Sequence, residues 1–201
     1  MDLTLYYAPG SRSQRVRWML EELELDYRLK YIDLYAGEGN TDAYLAIHPL
    51  GQLPALEVDG EVMIESGAIT QWLAEAHPEK QLAPAIKSPV RREFDQWMYF
   101  AATSLEGPAW EIVLHRDILP QEIAVKAIIP FAEQRLAQVL TFLESVMQTR
   151  DYLVASRFGA ADVMTGYLLM WFRRQLREYP ALLAYTKRLS QRPAYRRSRQ
   201  T

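Results

Sequence analysis

Glu65-Ser66 puts a carboxylate and a hydroxyl side by side at the point where one hydrophobic pattern gives way to another. Upstream, Asp59-Gly60 separates the apolar runs Ala55, Leu56, Val58 and Val62, Met63, Ile64. Asp-Gly between two such runs predicts a hairpin with a type I′ turn. Downstream, Ile69, Trp72, Leu73 and Ala76 recur at helical spacing. Ser66 is therefore expected to cap a helix whose first N–H groups have no partner within it. Free N–H groups suit an anion and Glu65 suits a cation, so the pair could hold both charged ends of an α-amino acid. The same residues also read as an ordinary N-cap, and the spacing alone leaves both readings open.

Other chemistry is narrowed by composition. The chain has 201 residues and no cysteine, so it makes no disulfide, thiolate metal site or thiol intermediate of its own. Its three histidines, His48, His77 and His115, show no metal-ligand spacing. Any thiol or redox chemistry has to arrive with a small molecule. A net charge of −2 gives no reason to expect nucleic acid, and no apolar run is long enough to span a bilayer. The start MDLTLYY has neither a basic segment nor a long apolar stretch, so a cytoplasmic protein is expected. The basic C-terminal stretch, including Arg173, Arg192 and Arg197, reads as a solvated face and frayed tail.

The elements that position these residues follow from periodicity. Leu3 to Tyr7 read as a strand, stopped by Pro9-Gly10; Val16, Met19, Leu20 and Leu23 form one helical face; Leu29, Tyr31 and Ile32 make a second strand. A short helical piece, Asp42 to Ile47, precedes the hairpin and its helix. The order β-α-β, connector, β-β-α predicts a four-stranded mixed sheet covered by helices over residues 1–78. Pro78, Pro84 and Pro89 punctuate a linker at 79–89, and residues 90–201 read as helix throughout. The segment Ala160 to Phe172 is nearly all apolar and is expected to be buried on most sides. Gly159 and Asp162 ahead of it have the spacing of a capping box in which glycine replaces the hydroxyl residue.

Taken together, LPAL with Leu53-Pro54, the Glu65-Ser66 pair, the helix RVRWMLEEL and the Ala160-to-Asp162 region resemble the cytosolic glutathione S-transferases over almost the whole chain. The resemblance implies an α/β thioredoxin-like N-terminal domain and an all-α C-terminal domain. It implies a cis-proline at Pro54, with the backbone of Leu53 pairing with the cysteinyl unit of glutathione. Glu65 and Ser66 would hold the γ-glutamyl group, while Gln52, His48 and Asn40 lie on the side of the glycyl carboxylate. The catalytic position falls within Tyr6 to Arg15. An ungapped fit to tyrosine-type members places Tyr6 there and Arg12 at a glutathione contact. A fit to cysteine-type members places Arg12 on their cysteine and Ser13 after it, and serine-type members put their hydroxyl near Gly10 or Ser11.

The activity implied is conjugation of reduced glutathione to small hydrophobic electrophiles. A free thiol has a pKa of about 8.5, and lowering it by two units takes roughly 2.7 kcal/mol of preference for the anion. Ser11, Arg12 and Ser13, just before the first helix, offer hydroxyl, guanidinium and helix N-terminus together. They rank above Tyr6 as candidates, in the order Ser11, Arg12, Ser13. The electrophile pocket would be lined by parts of Tyr99 to Trp110 and by Trp171, and a homodimer is implied. Two other readings share the fold: a glutathione-dependent peroxidase or disulfide reductase, and a non-catalytic glutathione-binding protein.

Overall fold

The computed structural model describes residues 1–200 and contains two compact units, Met1–Ala85 with the last residues from Ser190, and Ile86–Leu189. In the first unit, β1 (Leu3–Tyr7) leads through α1 (Ser13–Leu23) to β2 (Arg28–Tyr31). The short α2 (Asp42–Leu45) precedes the hairpin β3 (Ala55–Val58) and β4 (Glu61–Ile64), which runs into α3 (Ser66–Ala76). The sheet order is β2-β1-β3-β4, with β1 parallel to β2 and the other pairs antiparallel. Asp59 and Gly60 both have positive φ, 50° and 90°, as a two-residue type I′ turn requires.

Alternation along β1 divides its side chains between the two faces of the sheet. Tyr6 joins Ile32, Tyr44, Leu53 and Ala55 in one buried cluster. Tyr7 turns to α1, where its hydroxyl donates to Gln14 Oε1 at 2.9 Å. The helical face read from Val16, Met19, Leu20 and Leu23 is buried throughout.

The second unit holds α4 (Arg91–Phe100), α5 (Glu106–Val113), α6 (Ile128–Met147), α7 (Ala160–Trp171) and α8 (Pro180–Ser190). Between α4 and α5 the chain widens into an i to i+5 turn over Ala101–Leu105. Pro108 has no N–H for the Ser104 carbonyl and its ring crowds that carbonyl, which accounts for the widening. Helix α7 is buried from Ala160 to Leu169, as its apolar sequence predicts. Asp162 near its start accepts from Gly159 N (2.9 Å), Leu153 N (3.0 Å) and Tyr185 Oη (2.7 Å). Glu144 of α6 accepts from Ala181 N and Leu182 N, both at 2.9 Å, and so caps α8 from another helix.

Residues after Ser190, assigned to the helical domain by the sequence reading, pack instead with the first unit. α8 ends at Ser190, and Pro193 opens a further helix, α9 (Pro193–Ser198), at the position where proline costs a helix nothing. The reason lies in charge and shape on α1. Glu22 receives Arg192 through two bonds of 2.6 and 2.8 Å, Glu21 receives Arg197 at 2.7 Å, and the rings of Trp18 and Tyr195 meet edge to face at 4.9 Å. Arg192 and Arg197 are thus bound to α1 rather than frayed. Among the described residues, no helix is long and apolar enough to cross a membrane.

Candidate functional site

Three loops of the first unit carry the residues singled out from sequence. The first is the turn from β1 into α1. Gly10 takes φ +75° there, and Ser11 comes back to the strand end with its hydroxyl 2.8 Å from the Ala8 carbonyl. Ser13 is fully buried behind it, its oxygen accepting from Ala8 N at 3.2 Å and lying 2.6 Å from Ser11 Oγ. Each hydroxyl has one proton, so in this arrangement one serine donates to the other and the remaining proton goes to the Ala8 carbonyl. Ser11 is the half-buried member of the pair. Arg12, also half-buried, sits at the N-cap of α1 in a helical conformation.

Tyr6 is placed differently. It is 4% exposed, its ring packs 5.8 Å from that of Tyr44, and its hydroxyl donates to Glu57 Oε2 at 3.0 Å. Burial, and then the Glu57 carboxylate, push the Tyr6 phenol above its ordinary range. Its proton is engaged by the half-buried Glu57.

The second loop joins α2 to β3. The Leu53–Pro54 bond is cis, as the resemblance implies. Leu53 and Pro54 are buried while Gln52 is exposed, with its carbonyl accepting from Tyr44 Oη at 2.6 Å. His48 is 3% exposed and pins this loop from within. Its ring accepts from Leu50 N at 3.3 Å and its carbonyl from Gly51 N at 2.8 Å. Burial lowers the His48 pKa, outweighing the ring's interaction with its own backbone carbonyl and the Glu65 carboxylate, so the ring is neutral at pH 7. Gly51 has φ +61°, and a Cβ there would meet Gly39 O at 2.5 Å. Asn40, next to Gly39, is exposed beside this contact, its Oδ1 being 3.6 Å from that Cβ position.

The third loop turns β4 into α3. Glu65, exposed, has φ 73° and ψ 107°, and its carbonyl accepts the Ile69 N–H at 2.9 Å. A positive φ is uncommon for a residue with a side chain and marks a position held by its surroundings. The helix therefore begins one residue earlier than expected, with Glu65 as N-cap and Ser66 as its first residue. The buried Ser66 hydroxyl accepts from Arg15 Nη1 at 3.2 Å instead of capping its own helix.

Arg15 was not among the residues expected from sequence, although a signal was present. It stands four residues before Met19 and eight before Leu23, a cation on the apolar face of α1. Tyr44, which holds the Gln52 carbonyl, was likewise absent from those expectations.

In the second unit, Tyr99 is exposed, and Trp110 and Trp171 are half-buried. Trp97, Phe100 and Phe142 form an aromatic group with ring separations of 5.3 to 6.0 Å.

Comparison with known proteins adds an independent line. Residues 5–81 match the family model for the glutathione S-transferase N-terminal domain, and residues 70–188 the model for its C-terminal domain. The sequence is 29% identical to glutathione S-transferase GstA of Escherichia coli O157:H7, over 95% of this chain and 94% of that protein. It is 30% identical to a glutathione S-transferase of Silene vulgaris over 98% and 97% of the two chains. The fold matches a sphingomonad glutathione S-transferase solved in complex with glutathione, with a TM-score of 0.86, 26% identity, and 98% and 96% of the chains covered. It matches a glutathione transferase from Methylococcus capsulatus with a TM-score of 0.85, 29% identity, and 98% and 97% coverage.

Proposed function

The chain belongs to the glutathione S-transferase family, and from that premise we propose how this glutathione transferase holds and activates its co-substrate. Reduced glutathione lies along the Gln52-Leu53-Pro54 edge, with Glu65 taking the γ-glutamyl ammonium and the start of α3 at Ser66 taking its carboxylate. The sulfur is met by the Ser11 hydroxyl, with Arg12 and the N-terminus of α1 adding positive potential. Ser13 stands behind Ser11 as a positioning residue, and Tyr6 has a structural role.

The observation that carries this reading is the 2.6 Å contact between the half-buried Ser11 hydroxyl and the fully buried Ser13 hydroxyl at the mouth of α1. If Ser13 donates to Ser11, the Ser11 proton is the one left to turn from the Ala8 carbonyl to an arriving sulfur anion. Accepting from Ser13 makes Ser11 a stronger donor. The thiol gives its proton to water, and the thiolate attacks an electrophilic carbon. A carbon–sulfur bond forms as the leaving group departs with the bonding electrons of the bond that breaks. Proximity and anion stabilisation lower the barrier, and no protein nucleophile takes part.

Small hydrophobic electrophiles are the proposed second substrates, and the segment Tyr99 to Trp110 with Trp171 supplies candidate residues for their pocket. A cytoplasmic homodimer belongs to the same proposal.

The test is the pH dependence of the ultraviolet thiolate band of bound glutathione, alongside turnover of an aryl halide. Ser11→Ala should raise the apparent thiol pKa by about one unit, equivalent to roughly tenfold in the anion's stability, with a smaller rise for Ser13→Ala. A Ser11→Ala enzyme with an unshifted thiol pKa and wild-type turnover eliminates this assignment.

A further inference from the structure

Arg15 lies in the first turn of α1 and is 1% exposed, yet it is a cation under all ordinary conditions. Taking a guanidinium out of water costs several kcal/mol unless polar groups receive it. One group that does is Ser66 Oγ, 3.2 Å from Arg15 Nη1. The direction of this bond matters. Arg15 can only donate, so the Ser66 oxygen is the acceptor and its own single proton points away from the guanidinium. Ser66 is also the first residue of the eleven-residue helix α3, whose first N–H groups lack partners inside the helix. The Ser66 hydroxyl, polarised by a buried cation, and the helix N-terminus therefore act at the same place.

We infer that Arg15 is a positioning residue for recognition of the γ-glutamyl α-carboxylate, acting through Ser66. The inference rests on the proposed seat of glutathione at Glu65-Ser66 and adds a specificity element to it. Arg15 holds Ser66 Oγ by its lone pair, aims the Ser66 proton outward, and sets a fixed positive charge behind the start of α3. A carboxylate gains from all three. A ligand of the same shape without that carboxylate gains from none, so the arrangement selects γ-glutamyl thiols over thiols bearing a plain acyl chain.

The test compares two tripeptides by calorimetry on the full-length protein: glutathione and γ-aminobutyryl-cysteinyl-glycine, which lacks only the α-carboxylate. Wild-type protein is expected to prefer glutathione by about tenfold or more, the discrimination of one charge-assisted bond. Arg15→Gln should lose about tenfold for glutathione and leave the analogue's affinity unchanged. Ser66→Ala should do the same, and the double variant should lose little beyond either single one, because the two residues act as one unit. Should Arg15→Gln fail to fold, Arg15→Lys carries the comparison: it keeps the charge, loses the planar fork, and should weaken glutathione alone. Equal losses for both tripeptides, no loss for either, or additive losses in the double variant overturn the role of Arg15. A wild-type protein that binds neither tripeptide overturns the glutathione site itself, and the role with it.

Discussion

Tyr6 and Glu57 are joined across adjacent strands by a 3.0 Å hydrogen bond in which the phenol is the donor. The phenol that the sequence resemblance offers as a catalytic candidate is thus spent on a carboxylate in the sheet. Anion stabilisation by Tyr6 would require it to exchange Glu57 for sulfur and leave the carboxylate without this donor. Tyr6→Phe is accordingly expected to cost about 1 kcal/mol of stability, the usual worth of such a bond. It should change kcat/KM with glutathione and an aryl halide by less than about threefold, under roughly 0.7 kcal/mol. Urea unfolding and steady-state kinetics on one preparation check both parts. A loss of two orders of magnitude in kcat would return Tyr6 to the reaction centre.

What could be read from sequence was local. Asp59-Gly60 announces its turn because both residues tolerate positive φ, and the helical face of Val16, Met19, Leu20 and Leu23 announces its burial by spacing alone. Glu65-Ser66 stands at the turn from β4 into α3, but Ser66 is the first residue of the helix and its hydroxyl is engaged by Arg15, 51 residues away in sequence. The same kind of distance hid the other polar contacts. Glu144 caps a helix more than thirty residues ahead, and Arg192 and Arg197 reach back to Glu22 and Glu21 on α1. Periodicity reports which face of an element is buried; it carries no information on which distant polar group will meet another.

Gly51 is the position where the Gln52-to-Pro54 edge is least tolerant of change. Its φ of +61° disfavours a side chain, and a Cβ would come within 2.5 Å of the Gly39 carbonyl, which belongs to backbone and cannot swing aside. Gly51→Ala should destabilise the protein by about 1–3 kcal/mol. Because Gln52 follows directly and is fixed by Tyr44, the shifted backbone should raise KM for glutathione more than it lowers kcat. The measurement is a urea midpoint together with separate kcat and KM values. Unchanged stability and KM would mean that this loop relaxes freely.

Four tyrosines give the fold an alkaline limit. Burial is the main cause for all of them: it raises Tyr6, Tyr44 and Tyr185, and pushes Tyr27 up to about 12. Hydrogen bonds to Glu57, Glu21 and Asp162 add to the shift at Tyr6, Tyr27 and Tyr185. Each phenol holds its proton more tightly folded than unfolded. Below about pH 10 both states keep the proton and the contribution is constant; above it the unfolded chain ionises first and stability falls. The slope per phenol is at most about 1.4 kcal/mol per pH unit. Urea midpoints should therefore be level near neutrality and drop above about pH 10. Tyr185→Phe should lower the whole curve through loss of the Asp162 bond, while removing one proton's share of the alkaline slope. An undiminished slope in that variant contradicts the assignment.

Only half of a capping box stands at the head of α7. Asp162 reaches back to Gly159 N at 2.9 Å, but glycine has no side-chain oxygen to return, and the N–H of Asp162 meets the Gly159 carbonyl at 3.0 Å instead. The backbone at Gly159, φ −161° and ψ −170°, is extended, the region an N-cap residue normally occupies and one open to any side chain. Gly159→Ser would add the side-chain acceptor of the box without backbone strain. A serine cap exceeds a glycine cap by a few tenths of a kcal/mol, so a gain of about 0.5 kcal/mol is expected. Kinetic constants should be unaffected. The readout is the denaturation midpoint beside that of Gly159→Ala, which adds the same Cβ without the hydroxyl. A rise with serine that alanine does not share assigns the gain to the hydroxyl; equal shifts in both variants would assign it to the loss of glycine's freedom in the unfolded chain.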